Sequence, residues 1–303
     1  MILRIKIPLL LLISSFAAYS QQMSVVTLFD QNLTYLNPAA TGNQEVLTAG
    51  FYYRSSWTGF DGAPSSQFFS VHAPLKNPRV ALGVMLEHEG IGSTNYTGVY
   101  FNYAYRFYLG TGKLSLGLKL GVNNGSQKFI PSREENDRAF TESGQTFFVL
   151  NAGFGALYYA DQYWAGFSVP RFFGYKSEAS GKYKMSHEVS DYEYHFAGGG
   201  EIALPSEFAI EPSALIVLSA VNPFVVAVNA MGVYKNTYKA GLGYRYGEAF
   251  IILIGYNLNR QFSLGYSYDI NIGERSGYTS GSHEINIQYK FGYKVNASNP
   301  REF

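Results

Sequence analysis

From residue 113 to 122 the chain reads KLSLGLKLGV, and every second residue is apolar. Leu114, Leu116, Leu118, Leu120 and Val122 share one face, while Lys113, Ser115, Gly117, Lys119 and Gly121 share the other. The same period of two returns in QFSLGYSYDI (261–270), where Phe262, Leu264, Tyr266, Tyr268 and Ile270 oppose Gln261, Ser263, Gly265, Ser267 and Asp269. It returns again in HEINIQYKF (283–291), where Ile285, Ile287, Tyr289 and Phe291 oppose Glu284, Asn286, Gln288 and Lys290. Side chains alternate across a β-strand, so these runs predict strands with one apolar and one polar face. Fourteen such strands are placed near 45–57, 64–74, 79–87, 94–109, 112–122, 145–160, 162–171, 189–204, 207–219, 222–234, 236–247, 248–258, 260–270 and 282–293.

Alternation alone fits a soluble sandwich as well as a membrane barrel. Three features favour the barrel. The segments run about ten residues or more, near the length that crosses a bilayer at a tilt. Their polar faces are rich in Gly, Ser, Asn and scattered charge, as a wet lumen would be. Tyr and Phe gather near strand ends, as in interfacial girdles. A spanning sheet must close, because an open edge in lipid leaves backbone groups unsatisfied. The reading is therefore all-β: a transmembrane antiparallel β-barrel of about 14 strands, the even number that bacterial single-chain barrels have.

Connection lengths supply a second, independent pattern. The links at 75–78, 110–112, 160–162, 204–207, 235–236 and 259–260 are short and follow even-numbered strands. The long links, 123–144, 172–188 and 271–281, follow odd-numbered ones. Short turns of such barrels face the periplasm and long loops the outside, which places both termini in the periplasm. RSSWTGFDGAPSSQ (54–67) then becomes the first outer hairpin, with Trp57 and Phe60 expected at the outer interface.

Composition narrows the function. The charged fraction is 15% and the net charge +1, which suggests neither a nucleic-acid partner nor an acidic tail. The chain has no Cys, which excludes a disulfide scaffold, thiol catalysis and a lipoprotein anchor. Arg4 and Lys6, the apolar IPLLLLISSFAA and the small-x-small Ala18-Tyr19-Ser20 read as a signal peptide rather than a membrane anchor, leaving Gln21 as the mature start. The chain then divides into a signal peptide (1–20), a periplasmic N-terminal segment (21–44), the outer-membrane barrel (45–293) and a periplasmic tail (294–303).

Candidate chemistry is sparse. None of His72, His88, His187, His195 and His283 has metal-ligand spacing with another His or a carboxylate pair. Alternation turns His72 and His195 toward the lumen, as part of a polar lining. GLGYRYG (241–247) sits inside a strand rather than between strand and helix, so it is not a nucleotide loop. No catalytic, cofactor or metal residue is assigned, and the chain reads as a non-enzyme. Arg54, Arg106 and Arg245 are candidate lumen charges with Glu193, Glu201 and Glu284. A charge inside a barrel should be paired or wet, so Glu193, Glu201 or Glu284 are the expected partners of Arg54 and Arg106. The charged runs 132–143 and 176–193 read as solvated outer loops or as specificity loops for a partner. NLTYLNPAATG (32–42) reads as a lead-in, or as a segment docked under the barrel or against a periplasmic partner; Asn37-Pro38 is its turn signal.

A series of motifs carries a resemblance. NPAATG (37–42), Arg54, Trp57, GFDGAP (59–64), ALGVMLEHEGIG (81–92), FNYAYRF (101–107), LSLGLKLG (114–121), GFGALYYADQYWAGFSVPRFF (153–173) and SGSHEINIQYKF (280–291) run in order along the mature chain. Together they resemble the PorP/SprF family of outer-membrane proteins of the Bacteroidetes type IX secretion system. Arg171 stands where that family often has His. The resemblance implies residence in the outer-membrane bilayer and contact with type IX secretion components. It also implies a role in the secretion or surface display of a partner, such as a large adhesin. Asn37, Pro38, Arg54, Trp57, Gly59, Phe60, Asp61, Gly62 and Pro64 are the family-motif residues it marks for partner contact. The alternative reading is a pore for small solutes.

Overall fold

Period-two alternation becomes a closed wall in a computed structural model of the protein, which describes residues 25–127, 145–177 and 183–292. The strands are β1 (Thr48–Ser55), β2 (Ser65–Pro74), β3 (Val80–Ile91), β4 (Thr94–Leu109), β5 (Gly112–Gln127), β6 (Gln145–Tyr159), β7 (Tyr163–Val169), β8 (Gly174–Ser177), β9 (Tyr183–Ser186), β10 (Glu193–Gly200), β11 (Ile202–Ala203), β12 (Phe208–Ser219), β13 (Val225–Tyr234), β14 (Tyr238–Arg245), β15 (Ala249–Asn257), β16 (Phe262–Asn271) and β17 (Ser282–Lys290). β8 and β9 form a separate hairpin, and β11 continues β10 after a break at Glu201. The other fourteen pair antiparallel in chain order, and β10 pairs with β12 across the β11 break. Closure comes from β1 against β17, with Thr48 opposite Lys290 at one end and Ser55 opposite His283 at the other. No sheet edge is left facing lipid along this seam, as a spanning sheet requires.

All fourteen barrel strands fall where alternation predicts them. Two run well past their expected ends, β3 to Ile91 and β5 to Gln127, and β16 passes its own by one residue. Past Glu87 and Val122 both faces carry polar residues or glycine, so the alternation fades although the ladder continues. Strands of 16 residues, β4 and β5, span about 40 Å along a tilted barrel axis, well beyond the ~25 Å apolar band of a membrane wall. The surplus rises at the end where β3, β5 and β7 turn back. This is the long-loop end; β1 begins and β17 ends at the opposite, short-turn end.

Facing follows the sequence pattern with its sense inverted relative to a soluble protein. On β5, Leu118 is 52% exposed while Lys119 is 2%. On β15, Phe250, Ile252 and Ile254 point outward. Ile251 and Leu253 of the same strand are buried inside. The lumen is therefore not uniformly polar. Its apolar patches cover an apolar object within it, described below.

Opposite faces of the wall should respond differently to charge. Leu118→Arg, mid-wall on the lipid face of β5, should cost about 2–4 kcal/mol. Ser263→Arg, which opens onto the polar cavity at the short-turn mouth, should cost far less. Urea titration of the folded barrel in lipid vesicles measures both, and equal losses would refute the facing assignment.

Candidate functional site: an occupied lumen and the first hairpin

The segment 25–46 runs inside the barrel. Val26, Leu28, Phe29, Leu36, Ala39 and Ala40 are almost fully buried. Val26, Phe29 and Leu36 pack with Tyr52, Phe68, Met85, Tyr100 and Leu215 of the wall. Leu28 packs with Met231, Ile251 and Leu253, which accounts for the apolar inner face of β13 and β15. Tyr35 stacks on Phe68 at 4.6 Å between ring centroids, and Phe68 stacks on Tyr52 at 4.3 Å. The sequence offered this stretch as a periplasmic lead-in, or as a segment docked under the barrel or meeting a periplasmic partner; its described part lies inside the lumen. In water these apolar residues would be exposed, whereas the inner wall buries them.

The NPAATG stretch is fitted residue by residue. A helical turn (Leu33–Leu36, α1) ends at Asn37. The Asn37 side-chain oxygen accepts from Ala39 N at 2.9 Å and caps a 3-10 turn over Pro38–Ala40, with Pro38 at its first position. The same amide donates to the carbonyls of Ala156 and Phe167, on β6 and β7, at 3.0 and 3.2 Å. Backbone can approach a strand this closely only where the strand has no side chain. A Cβ at Gly117 would meet the Ala39 backbone, and one at Gly155 would meet the Asn37 amide. Ser168 donates to Leu36 O at 2.7 Å. Further along, Gly42 N donates to His72 Nδ1 at 3.0 Å, and Arg106 donates to Gly42 O and to Glu45 at 2.9 Å each.

Toward the long-loop end the segment is clamped by charge. Arg54 pairs with Asp269 at 2.7 Å and with Glu284 at 2.9 Å, and Arg245 pairs with Asp269 at 3.1 Å. All four side chains are buried. Thr27 sits among them. Its N–H donates to Glu284 at 2.8 Å, and the Leu28 N–H does so at 2.6 Å. Its hydroxyl donates to Asp269 at 3.0 Å and accepts from Arg54 at 2.9 Å and Arg245 at 2.6 Å. Asn229 donates to its carbonyl at 2.9 Å. The two guanidiniums face Asp269 and Glu284, with Glu248 also 3.6 Å from Arg245, and the lumen segment supplies hydrogen bonds that the buried carboxylates would otherwise take from water.

The sequence-selected charges thus separate. Arg54, Arg245 and Glu284 meet, joined by Asp269 and Thr27, which sequence reasoning did not single out. Asp269 was within reach of the alternation, since it shares the inner face with Ser267; Thr27 was not. Arg106 pairs with Glu45 of the lumen segment rather than with Glu193, Glu201 or Glu284. Glu193 accepts from Asn222 at 3.0 Å. Glu201 is exposed beside the cavity of about 740 Å3 at the short-turn mouth. Arg171 pairs with Glu87. Among the described residues no group of His and carboxylates could hold a metal. The charged run 132–143 lies outside the described residues, as do positions 178–182 of the run 176–193.

The first hairpin is stitched into the rim. Trp57 adopts a left-handed backbone, φ 50°, an uncommon state for a large residue. Its N–H donates to Ser282 Oγ at 3.0 Å. Thr58 N donates to Gly281 O, and Ser280 N donates to Thr58 O, both at 2.7 Å. Gly92 N reaches Gly62 O at 3.0 Å. Gly59 and Gly62 carry φ of 92° and 75°, which a side chain would disfavour. Pro64 is buried where the chain enters β2. This bracing turns Trp57 inward, half-buried, against cavities at the long-loop end, so it does not lie on the outer interface expected from sequence. Phe60 and Asp61 form the exposed tip.

The sequence model of the type IX secretion system membrane protein PorP/SprF matches residues 18–289. The chain belongs to the PorP/SprF family. Among curated proteins none matches. Solved barrels share the fold of this PorP/SprF protein at low identity. The CymD monoaromatic hydrocarbon channel is 12% identical with a TM-score of 0.51, covering 89% of this chain and 94% of its own. The Ralstonia pickettii toluene transporter TbuX is 9% identical with a TM-score of 0.51, covering 86% of this chain and 93% of its own. Family and fold together make this an outer-membrane protein of the type IX secretion system, of a non-enzymatic kind.

Two substitutions probe the occupied lumen. Arg54→Ala leaves buried carboxylates uncompensated and should cost about 3–5 kcal/mol, read by urea unfolding; adding Asp269→Asn should recover part of the loss. Gly155→Val removes the seat of Asn37. The barrel should still show heat-modifiable migration, while residues 25–46 become open to protease and planar bilayers show new conductance steps. A variant as silent and resistant as the parent would mean the seat is dispensable.

Proposed function

We propose that this PorP/SprF protein supports the secretion or surface display of partner proteins, such as large adhesins, by protein–protein contact and without catalysis. The short-turn end, where β1 begins and β17 ends, faces the periplasm, residues 1–20 are the cleaved signal peptide, and the long-loop end faces out. The observation that carries the reading is the filled lumen. A segment held by a buried ion cluster, the stack of Tyr35 on Phe68 and a glycine seat is a structural part of the barrel, so the accessible surfaces are its two mouths. The exposed Phe60–Asp61 tip on a rigidly braced hairpin offers such a surface on the outside, where binding residues usually sit. The alternative, a pore for small solutes, requires that segment to leave.

Display should separate these readings. In an Asp61→Ala strain, heat-modifiable barrel should stay near normal while surface display of the dependent adhesin falls several-fold. Trp57→Ala should lower both, because Trp57 also braces the rim. Normal display per folded barrel in both strains, together with steady conductance from the parent protein, would favour the pore. Orientation has its own check: an epitope inserted within 132–143 should be labelled on intact cells and one at 235–236 should not.

A further inference from the structure

At the long-loop end a cavity of about 400 Å3 opens beside the first hairpin. Its walls are aromatic: Trp57, Tyr96, Phe147, Phe172, Phe173 and Tyr192. Its polar lining is dominated by acceptors. Glu89, Asp191 and Glu193 contribute three carboxylates. The one cation of the lining, Arg171, is engaged by Glu87, which lies outside the cavity, and stands 3.9 Å from Glu89. Asn151 is 5% exposed, and its amide nitrogen donates to Phe173 O at 3.2 Å. Its Oδ1 has no partner among the described residues, nor has that of Asn123. Buried carbonyl oxygens without donors are costly to leave, so two of them in one aromatic, anionic cavity ask for a ligand rich in N–H.

We propose that this cavity is a recognition pocket for an arginine side chain presented by a polypeptide partner on the outer side of the membrane. A guanidinium brings a positive charge for the excess carboxylates and five donors in a plane for the unpaired oxygens. Its flat face stacks on aromatic rings, where a cation gains further attraction. An ammonium has the charge without the fork, and a neutral urea has the fork without the charge. The inference deepens the proposed function, on which the identity of the ligand as a polypeptide rests.

The test uses the full protein in detergent micelles and three probes: acetyl-Gly-Arg-Gly-amide and its lysine and citrulline counterparts. The chain has 2 Trp, and Trp57 lines the cavity, so its emission in a Trp164→Phe background reports occupancy. The arginine peptide should give a saturable change, the lysine peptide should bind several-fold more weakly, and the citrulline peptide about tenfold or more so. Glu89→Gln with Glu193→Gln should weaken the arginine peptide about tenfold while heat-modifiable migration is unchanged. Asn151→Leu, which removes an acceptor without changing charge, should also weaken it. No saturable response, equal binding of arginine and citrulline peptides, or full binding by the double variant would overturn the proposal. Failure here is distinct from failure of the functional reading. Adhesin display that needs the protein but is untouched by the double variant leaves that reading standing and removes the pocket. Peptide binding with display unaffected by loss of the whole protein does the reverse.

Discussion

The ion cluster around Thr27 sets the terms for the interior of this barrel. Arg54 on β1 lies directly opposite Glu284 on β17, so their 2.9 Å pair crosses the seam where the first and last strands close the wall. Asp269 and Arg245 extend the cluster to β16 and β14. Four ionised groups out of water are a liability unless every charge is matched and every remaining donor and acceptor is used. Here the lumen segment supplies most of that match, through the N–H groups of Thr27 and Leu28 and the Thr27 hydroxyl. Wall closure and lumen filling therefore share the same atoms, and each is stabilised by the presence of the other.

Once the segment is anchored there, the rest of the inner surface follows. The apolar inner faces of β13 and β15 have Leu28 to cover. Phe68 and Tyr52 have Tyr35. The glycines of β5 and β6 admit the Pro38–Ala40 turn at a distance that any side chain would forbid. A barrel lined in this way behaves as a packed domain whose core happens to lie inside a cylinder. Its two ends differ in kind: a broad polar mouth at the short-turn end, and aromatic, partly anionic cavities at the long-loop end beside a braced hairpin. A secretion component that works by contact needs surfaces of this sort on a wall that does not deform.

Wall and strand count were legible in the sequence because they depend on a local, repeated physical rule. A strand between lipid and lumen must alternate, so Leu114 through Val122 or Phe262 through Ile270 announce both the strand and its facing without reference to anything distant. The parity of connection lengths is equally local. The motif residues Asn37, Trp57 and Gly59 also stood out in the sequence, and alternation put Arg54 and Glu284 on the inner face, where both are buried.

What those residues do was decided by the tertiary structure alone. Nothing in NLTYLNPAATG says that it lies inside the barrel, because its neighbours there are glycines more than 70 residues away, on strands brought together only by closure. Arg106 could not be matched to Glu45 from spacing, nor Thr27 to four charges on separate strands. Trp57 was expected to face outward because aromatic residues favour interfaces. A left-handed backbone, fixed by hydrogen bonds to Gly281 and Ser282 from the far end of the chain, turns it in. Alternation is written residue by residue; the partners of a buried charge are set by which strands become neighbours when the sheet closes.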